Sequence, residues 1–89
     1  MLSLTDCMDF IDLDGDTIEI IARHEHLPAM LAAELGNQLL ADQRGIWRLH
    51  QMHRELIETA AQRGLLTQEK NLRRTYAAFT RKYPMPRQM

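Results

Sequence analysis

The chain has 89 residues, 45% hydrophobic and 26% charged, a composition that suits one small globular domain and excludes a disordered or low-complexity chain. Eleven Lys and Arg against twelve Asp and Glu give a formal net charge of −1, which excludes a uniformly basic nucleic-acid coat and an acidic solvating tail. The balance is a cancellation: residues 1–42 hold nine acids and one base, Arg23, whereas residues 43–89 hold ten bases and three acids.

No cationic residue precedes Arg23, so the charged start of a signal peptide is missing. The longest apolar stretch, residues 27–33, is interrupted by Pro28 and falls far short of the ~20 residues that span a bilayer. Cys7 stands alone and offers no intrachain disulfide. With no Lys, Arg or His near it in sequence to lower its pKa, it reads as a small hydrophobe. These features lead to the expectation of a cytoplasmic chain without a membrane segment.

In chain order, a short turn over residues 4–10 is weakly patterned. Asp12, Asp14 and Asp16 alternate like the opening of a calcium loop, but Thr17 and Arg23 occupy the places where such a loop needs glycine and a bidentate glutamate. The acids instead suit the start of a first helix over residues 15–25, with Asp14 or Asp16 as cap and Ile18, Ile21 and Ala22 as its apolar stripe. Pro28 suits the first turn of a second helix over 28–41, where its missing N–H costs nothing. Leu31, Leu35 and Leu39 recur there at i, i+4, i+8, beside a strip of small residues, Ala29, Ala32, Ala33 and Gly36. Asp42 can cap a third helix over 43–63, with a stripe of Ile46, Leu49, His53, Leu56, Ile57 and Ala60, stopped by Gly64. Thr67 is expected to cap a fourth helix over 67–83, ended by Pro84.

The fourth helix is strongly two-faced. At 100° per residue Leu72, Tyr76, Phe79 and Tyr83 converge, opposite Lys70, Arg74 and Arg81. The predicted fold is all-α, a small bundle or array of about four helices in a single domain 1–89, closed by a short basic tail over 84–89 that holds two prolines. The short connections favour antiparallel neighbours for helices two, three and four.

Two histidine pairs carry the metal chemistry that the chain offers, His24 with His26 and His50 with His53. Imidazole ligates zinc, iron, copper or nickel, and only His50 and His53, at i, i+3, present both rings on one helical face. His24 and His26 diverge if both are helical and converge only where the helix frays before Pro28. A metal or haem site from all four is the alternative reading. The competing reading makes His53 a partly buried core residue and the others surface or cap residues. The absence of Glu-x-x-His and His-Glu-x-x-His patterns favours it, and no cofactor is expected.

Lys70, Arg73, Arg74, Arg81 and Lys82 make a basic face that suits the phosphates of RNA or DNA, so nucleic-acid contact is a second alternative, although such a face is more often the solvated side of a helix. Ala32-x-x-x-Gly36 is similar to the turn approach of a helix-turn-helix, yet the residues after Gly36 continue the helix. No Gly-rich phosphate loop, Cys-x-x-Cys or nucleophile elbow occurs, so no enzyme is read. Trp47 lies just outside the third helix's stripe and, with Met52, is expected at a contact with a second chain, since tryptophan is enriched at interface hot spots.

The segment His24-Glu-His-Leu-Pro-Ala-Met-Leu-Ala-Ala-Glu-Leu-Gly36, after an acidic first helix, resembles one found in a group of small helical proteins of proteobacteria. The resemblance covers residues 4–41 and extends further only through length and helical pattern. It implies a bacterial cytoplasmic helical protein; no activity, ligand or site residue is established for the group, so none is carried over. The resulting expectation is a small non-enzymatic interaction or regulatory module that forms a homodimer or binds a protein partner.

Overall fold

The computed structural model describes residues 15–87. Cys7, the turn over 4–10, and Asp12 and Asp14 lie outside the described residues. The protein is an all-α bundle of four described helices: α1 (Gly15–Glu25), α2 (Ala29–Leu39), α3 (Gln43–Gln62) and α4 (Leu66–Lys82). No described helix is long and apolar enough to cross a membrane.

The boundaries follow from local chemistry. Asp42, in extended backbone, accepts a 2.8 Å hydrogen bond from the Gly45 N–H and starts α3 as expected. Gly64 takes a φ of 72°, and the N–H groups of Gly64 and Leu65 close on the carbonyls of Ala61 and Ala60 at 3.1 and 3.0 Å. This paired closure satisfies carbonyls that the last turn of α3 leaves without helical partners. His26 plays the same part for α1 at a φ of 58°, with the Leu27 N–H on the Ala22 carbonyl at 3.0 Å. Histidine is one of the few side chains enriched in that region. The end of α1 is therefore an ordered closure, and the fraying that would let His24 and His26 converge is not seen.

Three boundaries differ from expectation. Pro28 is the cap of α2, and its carbonyl accepts the first helical bond from the Ala32 N–H at 2.9 Å. The second helix ends at Leu39, two residues early, because Gly45 of α3 packs directly against the Leu39 backbone and the chain must turn there. Thr67 does not cap α4: the Leu65 carbonyl already accepts from the Glu69 N–H at 2.8 Å, so Leu65 is the cap and Thr67 lies inside the helix.

The core is shared by all four helices. Ile18 and Ile21 of α1, Ala32 and Gly36 of α2, Leu49, Met52 and Ile57 of α3, and Leu72 and Phe79 of α4 are buried. α3 packs most extensively on α4, and α1 on α2. The small strip of α2 supplies the close approach, whereas Leu35 and Leu39 sit half-buried on its shoulder and Leu31 stays exposed. Met52, expected beside Trp47 at an interface, is 1% exposed: it points into the core between the helices and is not surface.

Candidate functional site

The histidines separate into two environments. His50 and His53 are buried together between α3 and α4. His53 stacks on Tyr76 with ring centroids 5.2 Å apart and lies 4.8 Å from Phe79, while His50 meets the edges of both rings. Burial of His50 corrects its expected place at the surface or a cap: its ring fills the seam between α3 and the Tyr76–Phe79–Tyr83 face of α4.

The hydrogen bonds of His50 fix its proton. Nε2 is 2.8 Å from the Tyr83 carbonyl, which can only accept, so Nε2 carries the hydrogen. In the neutral ring Nδ1 is then an acceptor, and the Tyr76 hydroxyl, 2.9 Å away, donates to it. The imidazole thereby ties α3 to a carbonyl at the end of α4, which has no helical partner of its own. Burial lowers the His50 pKa, the Tyr83 carbonyl opposes that shift, and the Arg54 charge adds to it.

His24 lies elsewhere, at the last turn of α1. Its Nδ1 faces the Glu25 carboxylate at 2.5 Å and its Nε2 contacts the Glu55 carboxylate of α3. Only the doubly protonated ring donates from both nitrogens. Partial burial opposes the charge, but the contacts with Glu55 and Glu25 outweigh it and raise the pKa above 6.5. His26 is exposed at the α1–α2 corner. The four imidazoles thus serve a core seam, an inter-helix clasp and a helix end. Among the described residues no group of three or more His, Cys, Asp or Glu is placed to hold a metal ion.

The clasp borders the surface on which the candidate site is built. Trp47, 38% exposed, emerges from the second turn of α3. Together with His24, Arg48, Gln51 and Glu55 it lines a recess of about 170 Å³ whose floor is Met52. Arg48 also borders a neighbouring shallow recess against Leu35 and Leu39 of α2. This outer face of α3 combines an aromatic side chain with charges of both signs, the composition of a protein-contact surface.

The basic face of α4 is exposed at Lys70, Arg73, Arg74, Arg81 and Lys82, as expected. Its charge is partly answered: Arg73 donates to Glu69 at 2.8 Å, and Arg74 shares a groove with Asp16 and Glu19 of α1 above Ile20 and Leu72. The acidic and basic halves of the sequence therefore meet within one chain along that groove. Sequence reasoning missed two features. Glu55 joins His24 from 31 residues away, with no local pattern to announce it. Leu65 and Leu66, 42% and 70% exposed, form an apolar knuckle whose only sequence signal is a leucine pair after the helix-stopping Gly64.

Comparison with protein-family models, with curated proteins and with solved structures finds no match to this chain.

Proposed function

We propose that this protein is a small non-enzymatic interaction module that binds a folded protein chain, its own copy or another, through the outer face of α3. One observation carries the reading: a half-exposed tryptophan sits in a shallow recess between Arg48 and Glu55, with Glu55 already oriented by His24. Large, rigid aromatic anchors beside oriented charges give both contact area and register at low entropic cost. The two recesses on this face, about 170 and 270 Å³, are smaller than the ~300–1,000 Å³ usual for small-molecule pockets, which supports contact with a broad surface better than enclosure of a small substrate. The proteobacterial resemblance of residues 24–36 is consistent with a bacterial cytoplasmic setting for such a module.

Sedimentation and light scattering at micromolar concentration test the reading together with retrieval of partners by the wild-type chain and by Trp47→Ala. Association that the substitution weakens is the expected result. A strict monomer that retrieves no Trp47-dependent partner would sink the proposal.

A further inference from the structure

Inside its caps, the acid Asp42 and the base Arg63, the charges of α3 do not follow its own dipole. A helix is favoured by acids in its first turn and bases in its last, yet α3 has no acid in the first and no base in the last. Arg44 and Arg48 lie in its first half, and Arg54, Glu55 and Glu58 in its second. The dipole does not account for this order, and these five side chains are all exposed.

Spacing supplies the explanation. Arg44 and Glu58 lie seven residues to either side of Gln51, while Arg48 and Glu55 lie three before and four after it. Trp47 and Arg54 are four before and three after. At about 100° per residue, Arg48 and Glu55 fall on one flank of the outer face, Trp47 and Arg54 on the other, and Arg44 and Glu58 near its centre. An antiparallel twofold pairing of two such helices keeps each flank on its own side while reversing the direction along the axis. Every pair then meets its complement.

We propose that the partner is a second copy of this chain, paired antiparallel along α3 about a twofold axis at Gln51. Arg48 meets the partner's Glu55, Arg44 meets the partner's Glu58, and Trp47 lies under the partner's Arg54. This proposal rests on the interaction reading above and narrows it to one partner. Each contact occurs twice, and the indole–guanidinium pairs add cation–π attraction to the ion pairs. His24 prepares the surface by holding Glu55, whose side chain remains 58% exposed and able to accept from a second donor. Arg44, Trp47, Arg48, Arg54 and Glu58 are likewise exposed. The helix rise of 1.5 Å sets the Arg48–Glu55 spacing near ~10 Å and the Arg44–Glu58 spacing near ~21 Å, so one register satisfies both.

Charge reversal gives a decisive test by sedimentation equilibrium at low salt. Arg48→Glu and Glu55→Arg each place like charges opposite one another and should weaken the wild-type dimer at least about tenfold. Mixed in equal amounts, the two variants should form a heterodimer within about threefold of wild-type affinity, because each then meets its complement. Arg44→Glu mixed with Glu58→Arg repeats the test without touching the His24 contact, should Glu55→Arg disturb folding. Far-UV circular dichroism confirms that each variant is folded. A wild-type dimer indifferent to the reversals, or a mixture no tighter than its components, overturns the α3 register and leaves self-association standing. A monomeric wild type overturns the second copy as partner, while Trp47-dependent binding of a different protein would still support the broader module.

Discussion

Gly45→Ala tests the packing that sets the candidate surface. A Cβ at this position would lie 1.8 Å from the Leu39 carbonyl oxygen, 2.5 Å from its carbon and 2.6 Å from its Cα. All three atoms are backbone, so no side chain can swing aside; the end of α2 and the start of α3 must part by more than ~1 Å to restore ordinary contact. Alanine gains about 1 kcal/mol over glycine in helix propensity. Against this, overpacking a backbone contact costs about 1–3 kcal/mol or more, and disturbing the Asp42 cap costs about another 1. The net expectation is a loss of about 2 kcal/mol, which lowers the melting temperature of a domain this size by roughly 8–16 °C. Urea unfolding followed by far-UV circular dichroism measures it. Gly64→Ala is the control: nothing lies within 4 Å of its added Cβ, so only its φ of 72° is penalised, at about 1 kcal/mol. Wild-type stability in Gly45→Ala would refute the close approach and with it the account of why α2 ends at Leu39.

The remaining predictions concern the histidines. The depressed pKa of His50 makes its stabilising contribution complete above 6.5, to be lost as pH falls from 6.5 towards the folded value. His24 has the opposite sign: its raised pKa makes its contribution complete below 6.5, to be lost as pH rises through the folded value. Urea midpoints from about pH 5 to pH 9 should therefore decline on both sides, and His24→Gln should flatten the alkaline side alone; a flat wild-type profile would contradict both assignments. Tyr76→Phe removes the donor to His50 Nδ1 and should cost about 1–2 kcal/mol, with loss of a slowly exchanging tyrosine O–H signal, the His50 Nε2–H signal persisting, as the spectroscopic check. His26→Gly relieves a left-handed side chain and should leave stability equal or higher by up to about 1 kcal/mol, whereas His26→Val should lower it by about 1–2 kcal/mol; calorimetry distinguishes the two.

The helical class and most boundaries are legible in the sequence because their causes are local. Asp42 caps, Gly64 turns left-handed and Pro84 follows α4, each through a neighbouring backbone group. The apolar face of α4 is legible for the same reason, since Leu72, Tyr76, Phe79 and Tyr83 share one side through the 3.6-residue period. Thr67 shows the limit of this reasoning: a good capping residue is bypassed when the helix is already capped by Leu65 and begins at Leu66.

Of the candidate surface, the residues themselves are in the sequence, but their roles are not. Trp47 is exposed as its helical position implies, while Met52, one turn away, is buried because α3 turns that side towards the other helices. Two histidines at i, i+3 look alike whether they ligate a metal or fill a core. The rings of α4 enclose both, and Tyr76 and Tyr83 occupy the nitrogens of His50. His24 acquires a partner only when α1 crosses α3 and brings Glu55 within reach.

The sequence alone therefore determines the helices, their ends and the order of charges along α3, because these depend on residues a few positions apart. Tertiary packing alone decides which histidines are buried, which carboxylate His24 holds and which side of α3 faces outward. Those outcomes depend on groups far apart in the chain, whose encounter no local spacing records.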